Sequence, residues 1–309
     1  MTNVKDLANR EDRLVSGHGM CPGCGIAIIA KQVLRIVKEP VVVANATDCL
    51  EVSTTMFPFS SWKTPWIHNA FENAAATISG VETAYRALKK KGKISKELKF
   101  LAFGGDGGTY DIGLQSLSGA LERGHDFVYI CYDNEAYANT GFQRSSATPL
   151  GGSTTSDPAG SARPGKLEFK KDLTGIVASH HIPYVAQASI SNIPDFIRKI
   201  EKAFSIKGPC FINVLSPCIP GWNIQDNMAV EVSKLAVDSC AWPLYEIEND
   251  EWMLNHDPAD KKLAVIDWLK VQGRFKHLFK PENKWLLDRV QQETDKRWEL
   301  LKRKCEKRA

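Results

Sequence analysis

The sequence predicts an α/β fold, a largely parallel sheet flanked by helices. Three observations carry that prediction. Short apolar runs recur at Val41–Ala46 and at residues 100–103, 127–132 and 211–215. Helical patterns separate them, as in βαβ units. Each run also stops at glycines or polar residues, where the strands of such sheets present their ligand-binding ends.

The chain has 309 residues, 43% of them hydrophobic and 25% charged. That is the composition of an ordinary globular protein with ample core, in one large domain or two smaller ones. Its first thirteen residues carry charges of both signs and no apolar stretch, so no secretory signal is expected. No apolar run is long enough to span a bilayer. The expected location is cytoplasmic, with no membrane partner.

Cys21-Pro-Gly-Cys24-Gly25 is a tight turn before a helical run over residues 26–37. Val41–Ala46 reads as a strand, and Cys49 follows it. Residues 65–82 open with aromatic and polar side chains and continue as a helix, in which Ala74 to Ala76 suit close packing. His68 there either touches a substrate or is a hydrogen-bonded structural histidine. Lys89, Lys90, Lys91 and Lys93 mark a solvated helix end and loop. Residues 145–165, rich in Ser, Thr, Gly and Pro, read as a long loop, either a site cover or an interface arm. Residues 182–188 and 211–215 are further strands, with a helix over 193–204 between them.

After Pro243 the composition changes. Residues 261–309 hold 15 Lys and Arg against 7 Asp and Glu, a balance of +8 in a chain of net charge +4. Leu263, Val265, Trp268, Leu269, Trp285, Leu286 and Val290 recur at helical spacing. The expected organisation is a main domain over 1–250 and a basic helical extension over 251–309. The extension packs on a partner or on the main domain. An acidic ferredoxin is one candidate for it, and no motif accompanies the charge that would indicate nucleic acid.

The chain is organised around residues 99–143. An apolar run ends at Gly104 and Gly105, followed by Asp106, Gly107, Gly108 and Thr109. A helical pattern and a second apolar run lead to Asp133, Asn134 and Glu135. Gly105 and Gly107 let the backbone approach a ligand, and amides opening a helix favour a phosphate. A carboxylate beside a phosphate needs a cation between them. Asp106 and Asn134 are hard oxygen ligands of the kind Mg²⁺ uses when it also binds phosphate.

Eight cysteines in a cytosolic chain argue for ligands or buried thiols rather than disulfides. Cys131 and Cys210 lie in apolar strands and read as core, whereas Cys240 and Cys305 receive no role. Cys21, Cys24, Cys49 and Cys218 lie in turns at element ends, where thiolates converge. A lone CxxC serves zinc, an iron–sulfur cluster or a redox dithiol. Zinc ribbons usually show two such knuckles, and a thioredoxin-like site needs a strand before the first cysteine. One knuckle plus two distant loops suits a [4Fe–4S] cluster at least as well as zinc.

Asp106 and the Asn134 turn, 29 positions after Gly105, resemble the diphosphate-binding motif of thiamine diphosphate enzymes. GHGMCPGCG, ANATDCLEV, PWIHNAFENAAATISGVE, GGDGGTYDIGLQSLSGALERGHD, YDNEAYANTGFQRS and SPCIPGW together resemble the β subunit of pyruvate:ferredoxin oxidoreductase. Similar subunits serve other 2-oxoacid:ferredoxin oxidoreductases. The motifs stand in family order over about residues 16–250. The resemblance implies a [4Fe–4S] cluster on Cys21, Cys24, Cys49 and Cys218. It implies Mg²⁺ on Asp106, Asn134 and the Ala136 carbonyl, and diphosphate on Gly105, Gly107, Gly108 and Thr109. Asn139 is then the residue expected to contact substrate or the thiamine adduct, its alternative role being to stabilise the turn. Thr140 is expected to contact the cofactor. One departure is Asp48, where the family usually has Gly.

The implied reaction joins pyruvate, coenzyme A and oxidised ferredoxin to give acetyl-CoA, CO₂ and reduced ferredoxin. Branched-chain, aryl or dicarboxylic 2-oxoacids are alternatives. The resemblance also implies a hetero-oligomer. An α subunit supplies the activating glutamate, and γ and δ subunits complete the complex, with further clusters carried outside this chain. The rival readings are a non-redox thiamine decarboxylase and a zinc-stabilised interaction subunit.

Overall fold

The computed structural model describes residues 4–306. Its strands are β1 (Val41–Ala46), β2 (Trp66–Asn69), β3 (Lys99–Gly105), β4 (Val128–Asp133), β5 (Tyr184–Ser189), β6 (Cys210–Leu215), β7 (Tyr245–Glu248) and β8 (Glu251–Leu254). They form one sheet in the order β2-β1-β3-β4-β6-β5-β7-β8. The first six pair in parallel, and β7 and β8 join antiparallel at one edge. The chain is therefore an α/β protein with a largely parallel sheet.

β4, β5 and β6 are buried at every position, so their sequences are mostly apolar on both faces rather than alternating. Helices cover both faces. On one, Gly25–Ile36 buries Ile29, Ala30, Val33 and Leu34 completely, beside Ile193–Ser205. Each large apolar side chain buried this way contributes about 2 kcal/mol. Asn192 starts the second of these helices by accepting from Asp195 N–H, and Pro194 fits its first turn. On the other face, Ala74–Lys90 meets the sheet through Ala75 and Ile78, beside Leu114–Glu122.

Two features depart from the sequence reading. Trp66–Asn69 is an edge strand, not merely the lead-in to a helix. The β7–β8 hairpin was not anticipated, and Asn249 and Asp250 turn it with left-handed φ of 49° and 67°. The boundary expected after residue 250 therefore falls inside a hairpin of the main sheet. Beyond it, Val265–Leu269 and the long helix Lys284–Cys305 pack a third apolar cluster around Trp222, Trp242, Trp268 and Phe275. Residues 145–165 form no regular helix or strand and lie against the body, with Ala147, Thr148 and Leu150 buried.

Candidate cofactor and metal site

The carboxyl ends of β1, β3, β4 and β6 meet at one edge of the sheet. The chain leaves β3 into a π-helical turn, Gly107–Ile112, before the α-helix resumes at Leu114. Such turns are uncommon and recur at functional sites. Asp106 opens it, fully buried. Its Oδ1 accepts from Asn134 N–H at 3.1 Å, and its Oδ2 from the Ser145 hydroxyl at 2.5 Å. Burial and the charge of Asp133 push its carboxyl well above the usual range. An ionised Asp106 therefore needs a countercharge.

Asn134 turns its side-chain oxygen toward Asp106 Oδ1 at 3.0 Å and the Ala136 carbonyl at 2.8 Å. Rotating the amide by half a turn would let its NH₂ donate to both. With oxygen facing oxygen the contacts repel, unless a cation lies among them. Octahedral Mg²⁺ holds its ligands at 2.0–2.1 Å, so neighbouring oxygens stand about 3 Å apart. The Asn134 oxygen stands at that spacing from each of the other two.

The glycines next to Asp106 are packed against protein. A Cβ at Gly105 would lie 1.6 Å from Asp48 Oδ2, one at Gly107 2.4 Å from the Tyr137 ring, and one at Gly108 2.8 Å from the Phe71 carbonyl. The Thr109 hydroxyl donates to Gly105 O at 2.7 Å and also meets the Tyr129 hydroxyl. Asn139 and Thr140 are exposed at the rim. The Asn139 N–H reaches Asp48, and the Thr140 hydroxyl donates to Gln143 Oε1 at 2.5 Å. His68 Nδ1 pairs with Glu51 at 2.5 Å.

Behind the Asn134 turn lies an ion network. Asp133 pairs with Lys170 and accepts from the Tyr110 hydroxyl, and Glu135 pairs with Lys170 and Arg274. Burial opposes charge on Glu135, yet Lys170 and Arg274 hold its carboxyl below the usual range. Arg274 lies 3.9 Å above the Trp222 ring, whose Nε1–H donates to the Asn134 carbonyl at 2.9 Å. Sequence reasoning missed Ser145, Lys170, Trp222 and Arg274 because each is contributed across a long stretch of chain. A half-open cavity of about 450 Å³ beside this network lies under the Lys284–Cys305 helix, away from the cysteine loops.

Cys21, Cys24, Cys49 and Cys218 form one electrostatic neighbourhood. Burial, then the charges of Asp48, Cys218, Cys24 and Cys21, push the Cys49 thiol far up. Burial, with Cys24 and Cys21 adding to it, pushes Cys218 up to about 12. Such a set stays protonated unless a cation joins it. None of the four forms a disulfide. Among the described residues no three His, Cys, Asp or Glu side chains gather around one point as a single metal ion requires. Gly23 turns the knuckle at φ 73°, where a Cβ would lie 1.6 Å from Asp226 O. Only glycine fits there.

Asp48 joins the two halves of the site. Its carboxylate accepts from Cys49 N–H at 2.8 Å, and burial pushes its pKa up to about 6. A raised carboxyl contributes stability while protonated and loses it as pH rises through the folded value. For the metal-free protein, the stability of wild type relative to Asp48→Asn should fall by about 2 kcal/mol between pH 4.5 and 7.5. Urea unfolding at both pH values measures it. A pH-independent difference would remove the buried-carboxyl account.

Residues 49–214 match the family described as "Thiamine pyrophosphate enzyme, C-terminal TPP binding domain". Pyruvate synthase subunit PorB of Thermotoga maritima is 52% identical, covering 97% of this chain and 95% of its own length. The chain belongs to the β-subunit family of the 2-oxoacid:ferredoxin oxidoreductases. PorB of Methanocaldococcus jannaschii is 51% identical over 94% of this chain and 97% of its own. Within this β-subunit family, ketoisovalerate oxidoreductase subunit VorB of Pyrococcus furiosus is 40% identical over 96% and 94%. A 2-oxoglutarate:ferredoxin oxidoreductase structure from Magnetococcus marinus shares the fold, with TM-score 0.57 and 20% identity over 72% of each chain. The β-subunit chain is thus part of a thiamine diphosphate-dependent 2-oxoacid oxidoreductase. No helix among its described residues is long and apolar enough to cross a membrane.

Proposed function

We propose that this chain is the β subunit of a cytoplasmic pyruvate:ferredoxin oxidoreductase, and that it holds thiamine diphosphate, Mg²⁺ and a [4Fe–4S] cluster. The Asn134 side-chain oxygen, spaced from Asp106 Oδ1 and the Ala136 carbonyl as neighbours on one octahedral ion are, carries the reading. Asp106 supplies the charge that balances Mg²⁺, and Ser145 and the Asn134 amide orient it. Gly105 at the end of β3, with Gly107, Gly108 and Thr109 of the π turn, brings backbone to the diphosphate, and Asn139 and Thr140 line the rim. Bound thiamine supplies the nucleophile and the electron sink for decarboxylating a 2-oxoacid.

Cys21, Cys24, Cys49 and Cys218 hold the cluster. Their thiols are neighbours without gathering on one point, and a multi-iron cube spreads its ligands more widely than one ion does. Pyruvate is favoured over branched-chain, aryl and dicarboxylic acids because several relatives of 45–52% identity are pyruvate synthase subunits, against 40% for the ketoisovalerate relative. Beside the cysteine loop, Phe57 and Phe59 are 97% and 78% exposed. Neighbouring Met56 reaches Gly19 of that loop. An apolar tip there suits an interface with an α subunit that supplies the activating glutamate. γ and δ subunits, ferredoxin and coenzyme A complete the system.

The isolated chain should show no 2-oxoacid-dependent ferredoxin reduction, and co-expression with α, γ and δ partners should restore it, with pyruvate leading a substrate panel. A brown iron–sulfur absorption band from anaerobically purified protein supports the reading. Colourless protein with stoichiometric zinc would replace it by the interaction-subunit reading. Turnover by the homogeneous single chain would refute the shared site.

A further inference from the structure

Two buried hydroxyls at the carboxyl end of the sheet lack partners. Tyr132, the penultimate residue of β4, and Ser216, just past β6, are both completely buried. Among the described residues neither Tyr132 Oη nor Ser216 Oγ meets a hydrogen-bonding group. A buried hydroxyl without a partner costs about 1–3 kcal/mol, and folded proteins leave few of them. Asn45, at the end of β1, is likewise buried with both amide atoms unpaired. Polar atoms without partners thus collect at the strand ends beside the cysteine loops.

The surroundings of the two hydroxyls say what they face. Ser216 lies two positions before Cys218. Its Oγ is 3.0 Å from where a Cβ of Gly25, the residue after Cys24, would stand. Ser216 N–H donates to the Asp133 carbonyl at 2.8 Å, which fixes the backbone there. Tyr132 stands opposite Gly105 in the β3–β4 register. Its Cε2 lies 3.1 Å from the Gly105 Cβ position, which Asp48 Oδ2 also crowds. Tyr132 belongs to the apolar cluster against which Cys24 and Cys49 pack. Burial, then the charges of Asp48 and Cys49, push its phenol upward, so the hydroxyl stays a donor.

We propose that the Tyr132 and Ser216 hydroxyls donate hydrogen bonds to the sulfur of the cluster, Tyr132 on the Cys49 side and Ser216 between Cys24 and Cys218, and so raise its reduction potential. The inference rests on the cluster reading above. A reduced cluster carries one more negative charge, and a donor to its sulfur favours that state over the oxidised one. Both residues are positioning residues, since neither is a ligand.

The test uses the full chain, purified anaerobically, as wild type, Tyr132→Phe, Ser216→Ala and the double variant. Each is measured for iron content, for midpoint potential by a redox titration followed by electron paramagnetic resonance, and for exchangeable protons coupled to the reduced cluster in H₂O against D₂O. The expected result is unchanged iron, a lower midpoint in each single variant and a lower one still in the double variant. One exchangeable proton coupling should disappear with each hydroxyl. If Tyr132→Phe sheds its cluster, Ser216→Ala, which removes one small group, reads the same potential. Full iron with wild-type midpoints and couplings overturns the proposal. Iron-free wild type would overturn the cluster reading itself, in an arm that contains no substitution.

Discussion

Cys218→Ser should strip the cluster and abolish turnover, whereas Cys131→Ser should leave iron content as it was. The contrast follows from placement. Cys218 is half-buried at the start of the Ile219–Trp222 turn, and its thiol feels Cys24 and Cys21. Cys131 is equally rich in sulfur and more buried, but it points into the interior from the middle of β4. A serine at 218 offers a hydroxyl that is hard to ionise, where soft iron needs a thiolate. Iron should drop from about four per chain to three or fewer, and assembled complex should lose activity with it. Trp222 N–H donates to the Cys218 carbonyl at 2.8 Å and its ring reaches Asn134, so the backbone of this loop is held independently of the sulfur. A folded Cys218→Ser protein is therefore expected, with unchanged circular dichroism. Equal iron loss in both variants, or in neither, removes the ligand assignment.

Asp106→Asn should weaken binding of thiamine diphosphate with Mg²⁺ by about a hundredfold, close to 3 kcal/mol. The substitution deletes the charge that balances the cation while keeping the size of the side chain. It should not destabilise the cofactor-free protein at pH 7 to 8, because burial and Asp133 already disfavour the ionised carboxylate. Binding and stability thus move in different directions, which separates loss of a ligand from misfolding. Calorimetric titration with the cofactor and Mg²⁺, paired with urea unfolding, reads both quantities. Unchanged affinity would count against the whole diphosphate reading.

Much of the fold was legible because its central strands are buried on both faces. β1, β3, β4 and β6 appear in the sequence as largely apolar runs, with Asn45 and Asn213 the polar interruptions, and are placed to within a residue or two. The three turns that carry the four cysteines were legible for a related reason, since each lies where a strand ends or a helix begins. β7 and β8 were hidden by their own chemistry. Glu246 faces inward and is 3% exposed. It takes Arg198, Lys202 and the Tyr184 hydroxyl as partners, so the strand looks polar where it is buried. β2 is short and half-exposed, and gives no clear periodicity.

The site was legible by residue type and less so by environment. Gly105 and Gly107 read as room for a ligand, and the structure gives that room to Asp48 and Tyr137. Arg274 read as one charge among many in a basic tail. It is instead 5% exposed and paired with Glu135, 139 positions earlier. Pattern along the chain cannot show a partner at that distance. The same holds for Ser145, whose hydroxyl reaches Asp106 across 39 positions.

The spread of these partners has a consequence for how the protein is made. Translation at 5–20 residues per second leaves roughly 10 to 40 s between the emergence of Cys24 and that of Cys218. The first three thiols must spend that interval without their fourth. Arg274, which braces the turn around Asn134, leaves the ribosome later still. On the proposed ligand set, the cluster cannot be complete before Cys218 has emerged. The Asn134 turn gains its brace from Arg274 only after the proposed ligands are all made. During that interval the early cysteines are free thiols, open to oxidation.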